Sequence, residues 1–512
     1  MFVVVIGVLS ILLAFTSPVA RWVTAPWAVT LVLLAVTLGP ALVGRWANRR
    51  VLRLLERHPE DPGHGQFIFG RWMQMLQWGL GVGHGALLLT TDWLRWCYTA
   101  PVIGDLLVVP SLVAVTPFLL ATILLWLAVY PADRAVRQIA LEVYLFRGRP
   151  VRPVWAAGDY VLYNLRHQVL FVLVPLLLIL LARDVVTWQD EALRQVSGYR
   201  YFPDVLLGVA AIGIALVTPE ILRHVWVTQR LPAGPLRDRL RALGRRLGVR
   251  CREILVWRAG GTLVNAAVMG LVPQLRYVLI TDAMIEQMDD QKIEAVYGHE
   301  AGHVRRHHLL YLLLFALISG CLVTLFSVQV QRGLTSTQYS WAVALGAGVL
   351  VAKWGVLFGW ISRRFERQAD LYGARALVLT GLPCFQSCAL HGTSGADAPL
   401  TPATVQAPPP PPPQDVLDAR TPLCRSAAAV YAAALQEVAI LNGIPPESGS
   451  WRHGSIAERA ATVQRYAADP AALRRFERSA TRMMRVILAV AVVASAAVVI
   501  ELRLWELVLP NA

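Results

Sequence analysis

The chain has 512 residues, 56% of them hydrophobic and 16% charged, with a mean hydropathy of +0.51. Soluble domains carry roughly 45–50% apolar and about 25% charged residues, so this composition excludes a soluble globular protein, and six Cys exclude a disulfide-stapled secreted scaffold. The formal charge of +15 comes largely from Arg gathered in short stretches between apolar runs, which is the pattern of membrane topology rather than of a nucleic-acid partner.

In chain order, apolar runs long enough to cross the lipid bilayer fall at 2–18, 27–43, 108–130, 168–182, 205–222, 309–330, 341–361 and 484–508. A weaker ninth, 72–91, is interrupted by Gln74, Gln77 and His84. The first lacks a basic n-region, so it is read as an anchor rather than a signal peptide. With Met1 inside, the Arg-rich stretches 45–71, 134–166 and 223–252 all fall in the cytoplasm, whereas the opposite loops carry little more than Arg21, Arg95 and Arg332. This asymmetry supports nine spans. Between them, 223–281 is polar and basic, with β-like runs at 253–257, 262–266 and 276–281 that predict a small sheet. From 381 to about 420 the composition shifts to Pro, Ala, Thr and Gly, with an unbroken Pro408 to Pro413 run that reads as an insertion or linker, and 426–482 resumes helical character. The organisation expected is an N-terminal membrane region (1–222), a catalytic region (223–380), the Pro-rich insertion (381–425), a C-terminal helical part of the catalytic domain (426–483) and a last span (484–512). The fold class is mainly α: a polytopic helical membrane protein of about eight to nine spans, with a small α+β domain at the membrane face.

The chemistry lies in AVYGHEAGHVRRHHLL, where His299, Glu300 and His303 form HExxH. On a helix, residues four apart share a face, so both imidazoles reach one metal while Glu300 sits beside it as a base. Catalytic zinc takes three protein ligands. His307 lies a further turn along the same helix, about 6 Å beyond His303 at 1.5 Å rise per residue, and one straight helix does not wrap a metal. His307 and His308, with Arg305 and Arg306, are instead read as a basic collar at the membrane interface. A better ligand is Glu366 in ISRRFERQADLYGARAL, with Asp370 four residues on, placed to accept from the far nitrogen of a ligand His.

HExxH at a membrane helix, followed across one hairpin by SRxxExxAD, resembles the membrane gluzincins that comprise the type I CAAX prenyl endopeptidases and the HtpX-like bacterial stress proteases. Asn265, Ala266 and Gly270 match an Asn-Ala pair and Gly upstream, and His453 and Arg459 keep the spacing of a downstream His-Pro…Arg element, with Gly454 in place of the Pro. The resemblance covers roughly 236–467 apart from the insertion. It implies one zinc held by His299, His303 and Glu366, with Glu300 as general base and later proton donor and His453 stabilising the oxyanion. It further implies that Asn265 and Ala266 lie on an edge where a peptide substrate is laid out, that Asp370 supports the ligands, and that Arg459 is structural or carboxylate-binding.

The function expected is therefore a membrane-embedded zinc endopeptidase acting on peptides or membrane proteins from the cytoplasmic side, in quality control rather than on prenylated C-termini. An inactive scaffold would be expected to have lost Glu300 or a ligand, and a transporter to bury charges at mid-membrane, whereas here the acids cluster at helix ends. Cys384, Cys388, His391 and Cys424 could in principle supply a second, structural zinc, but their irregular spacing around a Pro-rich linker favours cytosolic thiols.

Overall fold

The computed structural model describes residues 22–57, 62–146, 154–261, 263–333, 336–384, 388–391 and 416–504. The span expected at 2–18 and the proline run lie outside the described residues. The chain divides into two compact units, one formed by 1–226, 330–344 and 502–512 and the other by 227–329 and 345–501.

The first unit is helical: α1 (Pro26–Arg57), α2 (Pro62–Thr90), α3 (Trp93–Thr99), α4 (Val109–Phe146), α5 (Ala157–Asn164), α6 (Phe171–Trp188), α7 (Asp190–Ser197) and α8 (Phe202–Val225). A π-helical turn, Leu165–Leu170, joins α5 to α6. Its core is a seam of Ala47 from α1, Leu76, Leu80 and Leu88 from α2, and Ala114, Phe118, Ala121 and Leu125 from α4. The weak 72–91 run is thus helical, and His84, one of its polar interruptions, is fully buried beside Phe118. Its exposed apolar residues are Met75, Trp78 and Val82.

The second unit begins with a four-stranded sheet in the order β1-β2-β4-β3, made of β1 (Thr228–Arg230), β2 (Glu253–Trp257), β3 (Ala266–Met269) and β4 (Tyr277–Thr281). β2 and β4 pair in parallel while β1 and β3 run antiparallel on either edge. Strand β2 falls where the sequence places it. β3 starts four residues later than expected, because the backbone of Asn265 is held by Thr281 through three contacts at 3.0 Å and the ladder proper opens only at Ala266. The helices that follow in chain order are α9 (Pro235–Arg246), α10 (Asp282–Gln287), α11 (Asp290–Arg305), α12 (His308–Gly333), α13 (Ser336–Lys353), α14 (Gly359–Leu379), α15 (Arg425–Leu441), α16 (Ile456–Ala468) and α17 (Pro470–Glu501), with residues 330–344 of α12 and α13 belonging to the first unit.

Six helices among the described residues are long and apolar enough to cross a membrane: Pro26–Arg57, Val109–Ile139, Ala157–Trp188, Phe202–Val225, His308–Val330 and Pro470–Glu501. Each corresponds to a span read from the sequence. The 72–91 and 341–361 runs are helical without meeting that standard. The protein is therefore a mainly helical, polytopic membrane protein with a small sheet.

The packing that matters for function is α11 against α14. Gly298 and Gly302 of α11 lie where α14 comes closest, so that a Cβ on Gly302 would sit 2.9 Å from the Tyr372 Cβ and 3.1 Å from the Ala369 Cα. A Cβ on Gly298 would sit 2.6 Å from that of Ala376. Helices normally lie 8–10 Å apart, set by the side chains between them, and removing those side chains lets the two backbones approach until residues on both reach a common point.

Candidate active site

His299 and His303 project from α11 and Glu366 from α14. The two Nε2 atoms lie 3.2 Å apart, and the carboxylate spans both, with Glu366 Oε2 3.6 Å from His299 Nε2 and Oε1 3.7 Å from His303 Nε2. A tetrahedral ion with bonds of about 2.0–2.1 Å separates its ligands by about 3.4 Å, so the donor set fits zinc in both chemistry and size.

The groups behind the imidazoles decide which nitrogen faces that point. Tyr431 of α15 donates its hydroxyl to Asp370 Oδ1 at 2.7 Å and lies 3.0 Å from His299 Nδ1, itself 3.1 Å from Asp370 Oδ1. His299 Nδ1 therefore carries the proton and Nε2 presents its lone pair. For His303 the chain of bonds is longer. The carboxylate of Glu477 fixes the amide of Gln368, which donates Nε2–H to it at 3.5 Å and so turns its carbonyl to His308 Nε2 at 3.2 Å. His308 then holds its proton on Nε2, and its bare Nδ1 accepts from His303 Nδ1–H at 3.0 Å. Once again Nε2 of the metal-facing residue is left free.

This overturns the collar reading of His308. The side chain is 1% exposed and stacks on Phe365 at 4.3 Å, whereas His307 is exposed. On one straight helix a residue five positions after His303 points about 140° away from it at 3.6 residues per turn. Here α11 ends at Arg305, His307 takes a left-handed φ of 56°, and α12 starts at His308, so the break returns His308 beneath His303. Tyr431 and Gln368 were likewise missed, and in an Ala-rich helix and a charged one nothing local marks them.

Arg459, on the first turn of α16, grips Asp370 through two bonds of 3.0 and 2.6 Å and lies 3.4 Å from Glu366. The helix starts at Ser455, whose hydroxyl caps the Glu458 amide, and this fixes the face Arg459 presents. Burial resists ionisation of Asp370 and Glu366. For Asp370 the Arg459 guanidinium outweighs that resistance, and for Glu366 the His453 hydrogen bond and Arg459 do so, leaving both carboxyls well below the usual range. Burial also opposes protonation of His299, but the Asp370 carboxylate prevails and raises its pKa. Glu300 behaves in the opposite way, since burial pushes its carboxyl up to about 7, and the Val268 amide of β3 donates to it. Because Asn265 directs its backbone to β4, alternation sends the amides and carbonyls of Ala266 and Val268 to the open edge, where Glu300 accepts from the Val268 amide.

His453 reaches Glu366 Oε1 at 2.9 Å and is 45% exposed. It sits in a tight turn closed by Ser450 and Gly454, pinned by Arg363 bonding the Trp451 carbonyl at 2.7 Å. Gly454 has a φ of 75°, which proline with its φ near −65° cannot adopt, so this loop departs from the His-Pro form of the resembled family. Every site residue expected from the sequence is thus brought to one place, with Asn265 and Ala266 at the sheet edge nearby.

This arrangement, two helical imidazoles and a carboxylate beside a half-buried glutamate and an open strand in a multi-helix membrane chain, defines a membrane metalloendopeptidase. Residues 237–410, about a third of the chain, match the family model described as Peptidase family M48. It is 27% identical over 231 residues to the Protease HtpX of Xylella fastidiosa (strain M12), covering 41% of this chain and 78% of that protein. It is 30% identical over 148 residues to a Protease HtpX homolog of Bacteroides fragilis, covering 26% of this chain and 44% of that one. Among solved structures, the crystal structure of S. mikatae Ste24p aligns with a TM-score of 0.45 at 14% identity, over 86% of this chain and 99% of that chain.

Proposed function

We propose that the site holds one zinc through His299, His303 and Glu366 and cleaves peptide bonds of membrane-associated proteins from the cytoplasmic side, as a quality-control endopeptidase. The observation that carries this is the convergence of the three donors, all within 4.8 Å of one another, with both Nε2 lone pairs directed between them. When bound, the metal supplies Lewis-acid polarisation of the scissile carbonyl and acidification of water.

The chain's own residues do the rest. The open edge of β3 offers Ala266 and the Val268 carbonyl to an extended substrate, which would add as a further strand beside Asn265. Glu300, with a carboxyl near neutrality, takes the proton of the attacking water and returns it to the departing amine; such general acid–base transfer contributes typically 10²–10⁴-fold. His453, at the exposed rim, donates to the developing oxyanion, and the Asp370–Arg459 pair keeps His299 and Glu366 oriented. The Arg distribution of the sequence supports a cytoplasmic site, and the relatives named Protease HtpX support proteolysis as the activity.

Trapping with Glu300→Ala in the native host tests the substrate class. Recovery of diverse damaged membrane proteins is expected, whereas a single prenylated protein cut after its lipidated Cys would replace quality control by the CAAX-type activity. Impermeant thiol labelling of single-Cys variants at Ser336 and Ala396 tests orientation: Ser336 should label from outside and Ala396 should not.

A further inference from the structure

Away from the active site, four soft donors converge. Cys384 Sγ lies 3.6 Å from Cys388 Sγ and 3.5 Å from Cys424 Sγ, and Cys388 Sγ lies 3.3 Å from His391 Nδ1. All four ligand atoms fall within 4.8 Å of one another. A disulfide requires sulfurs at about 2.05 Å, so these contacts are not cross-links. A tetrahedral zinc with Zn–S bonds of about 2.3 Å and a Zn–N bond of about 2.0 Å sets its sulfurs about 3.8 Å apart and sulfur from nitrogen about 3.5 Å, close to the separations found. The geometry points to a second, structural zinc site of the Cys₃His type, formed by Cys384, Cys388, His391 and Cys424.

Three features around the cluster suit a thiolate set. The Cys-x₃-Cys spacing is that of structural zinc sites. Cys424 stands at the N-cap of α15, where the helix end favours negative charge. Ser426 Oγ approaches Cys384 Sγ at 3.8 Å. Binding releases three thiol protons to solvent and leaves a closed four-coordinate centre of net charge −1 with no position for water, unlike the active site.

The site has a structural consequence for catalysis. Cys384 follows the end of α14, which carries Glu366 and Asp370, while Cys424 opens α15, which carries Tyr431. A metal between them ties together the two helices whose side chains orient His299. In sequence the knot also gathers both flanks of the Pro-rich insertion, so the catalytic helices stay registered across it.

The experiment uses the purified full chain with metal content and zinc X-ray absorption read together. The parent should hold about two zincs per chain, with a sulfur shell at about 2.3 Å beside a nitrogen/oxygen shell. His303→Ala should fall to about one zinc with the sulfur signal enriched, and Cys388→Ala to about one zinc with the sulfur signal lost and a lower Tm. If Cys388→Ala does not fold, cobalt substitution of the His303→Ala protein decides, since three thiolates give an intense sulfur-to-cobalt charge-transfer band. Absence of sulfur scattering in the parent, absence of that band, or a mass two hydrogens low from an oxidised pair would overturn the site. Loss of the nitrogen/oxygen shell alone bears on the catalytic zinc and leaves this one standing.

Discussion

Replacing His308 by Leu isolates the orienting role of a residue that never reaches the metal. Leu keeps apolar volume against Phe365, so the fold should survive with little change in Tm, but His303 Nδ1–H loses its acceptor. An unsatisfied buried donor costs about 1–3 kcal/mol, and loss of a partner behind a metal ligand typically costs 10–100-fold in metal affinity. The His303 side chain is 22% exposed, so water can replace part of the lost bond, and the expected loss is about ten- to thirtyfold, or about 1.4–2 kcal/mol. Chelator competition on the purified protein measures it. His308→Asn, whose amide oxygen can stand near Nδ1, should recover part of the affinity, and His307→Ala should change nothing. Equal zinc affinity in His308→Leu and the parent, or an equal loss in His307→Ala, would refute the tautomer argument.

Glu300→Ala should keep its zinc while peptide hydrolysis falls at least about 10²-fold, since it removes the proton carrier and no ligand; parent-like activity would sink the mechanism. Gly302→Ala drives a methyl within 2.9 Å of Tyr372 and should destabilise by about 1–3 kcal/mol, read as a lower Tm, with weaker zinc binding as α11 and α14 separate. Glu477→Ala leaves Arg375, 2% exposed and bonded to that carboxylate at 3.0 Å, as an unpaired buried charge. Denaturant unfolding should show about 3–5 kcal/mol lost, and a loss below 1 kcal/mol would show that the pair is not a structural pin.

The sequence alone was enough for the membrane class and for naming the side chains that converge at the candidate site, because both rest on local periodicity. Apolar runs of bilayer length need no tertiary knowledge, and in HExxH and ExxxD the ligand spacing is the helical repeat itself, so His299, Glu300, His303, Glu366 and Asp370 could be named from spacing and the resemblance of their motifs. What surrounds them was decided by chain reversals that leave no periodic trace. A left-handed turn at His307 made His308 a partner of His303, two glycines let α14 come close enough for Glu366 to meet the imidazoles, and Tyr431 arrives from a helix 132 positions beyond His299. The thiol cluster is of the same kind. Cys384 and Cys424 stand 40 residues apart with a proline run between them, and only the packing of α14 beside α15 turns an irregular spacing into four donors at coordination distance.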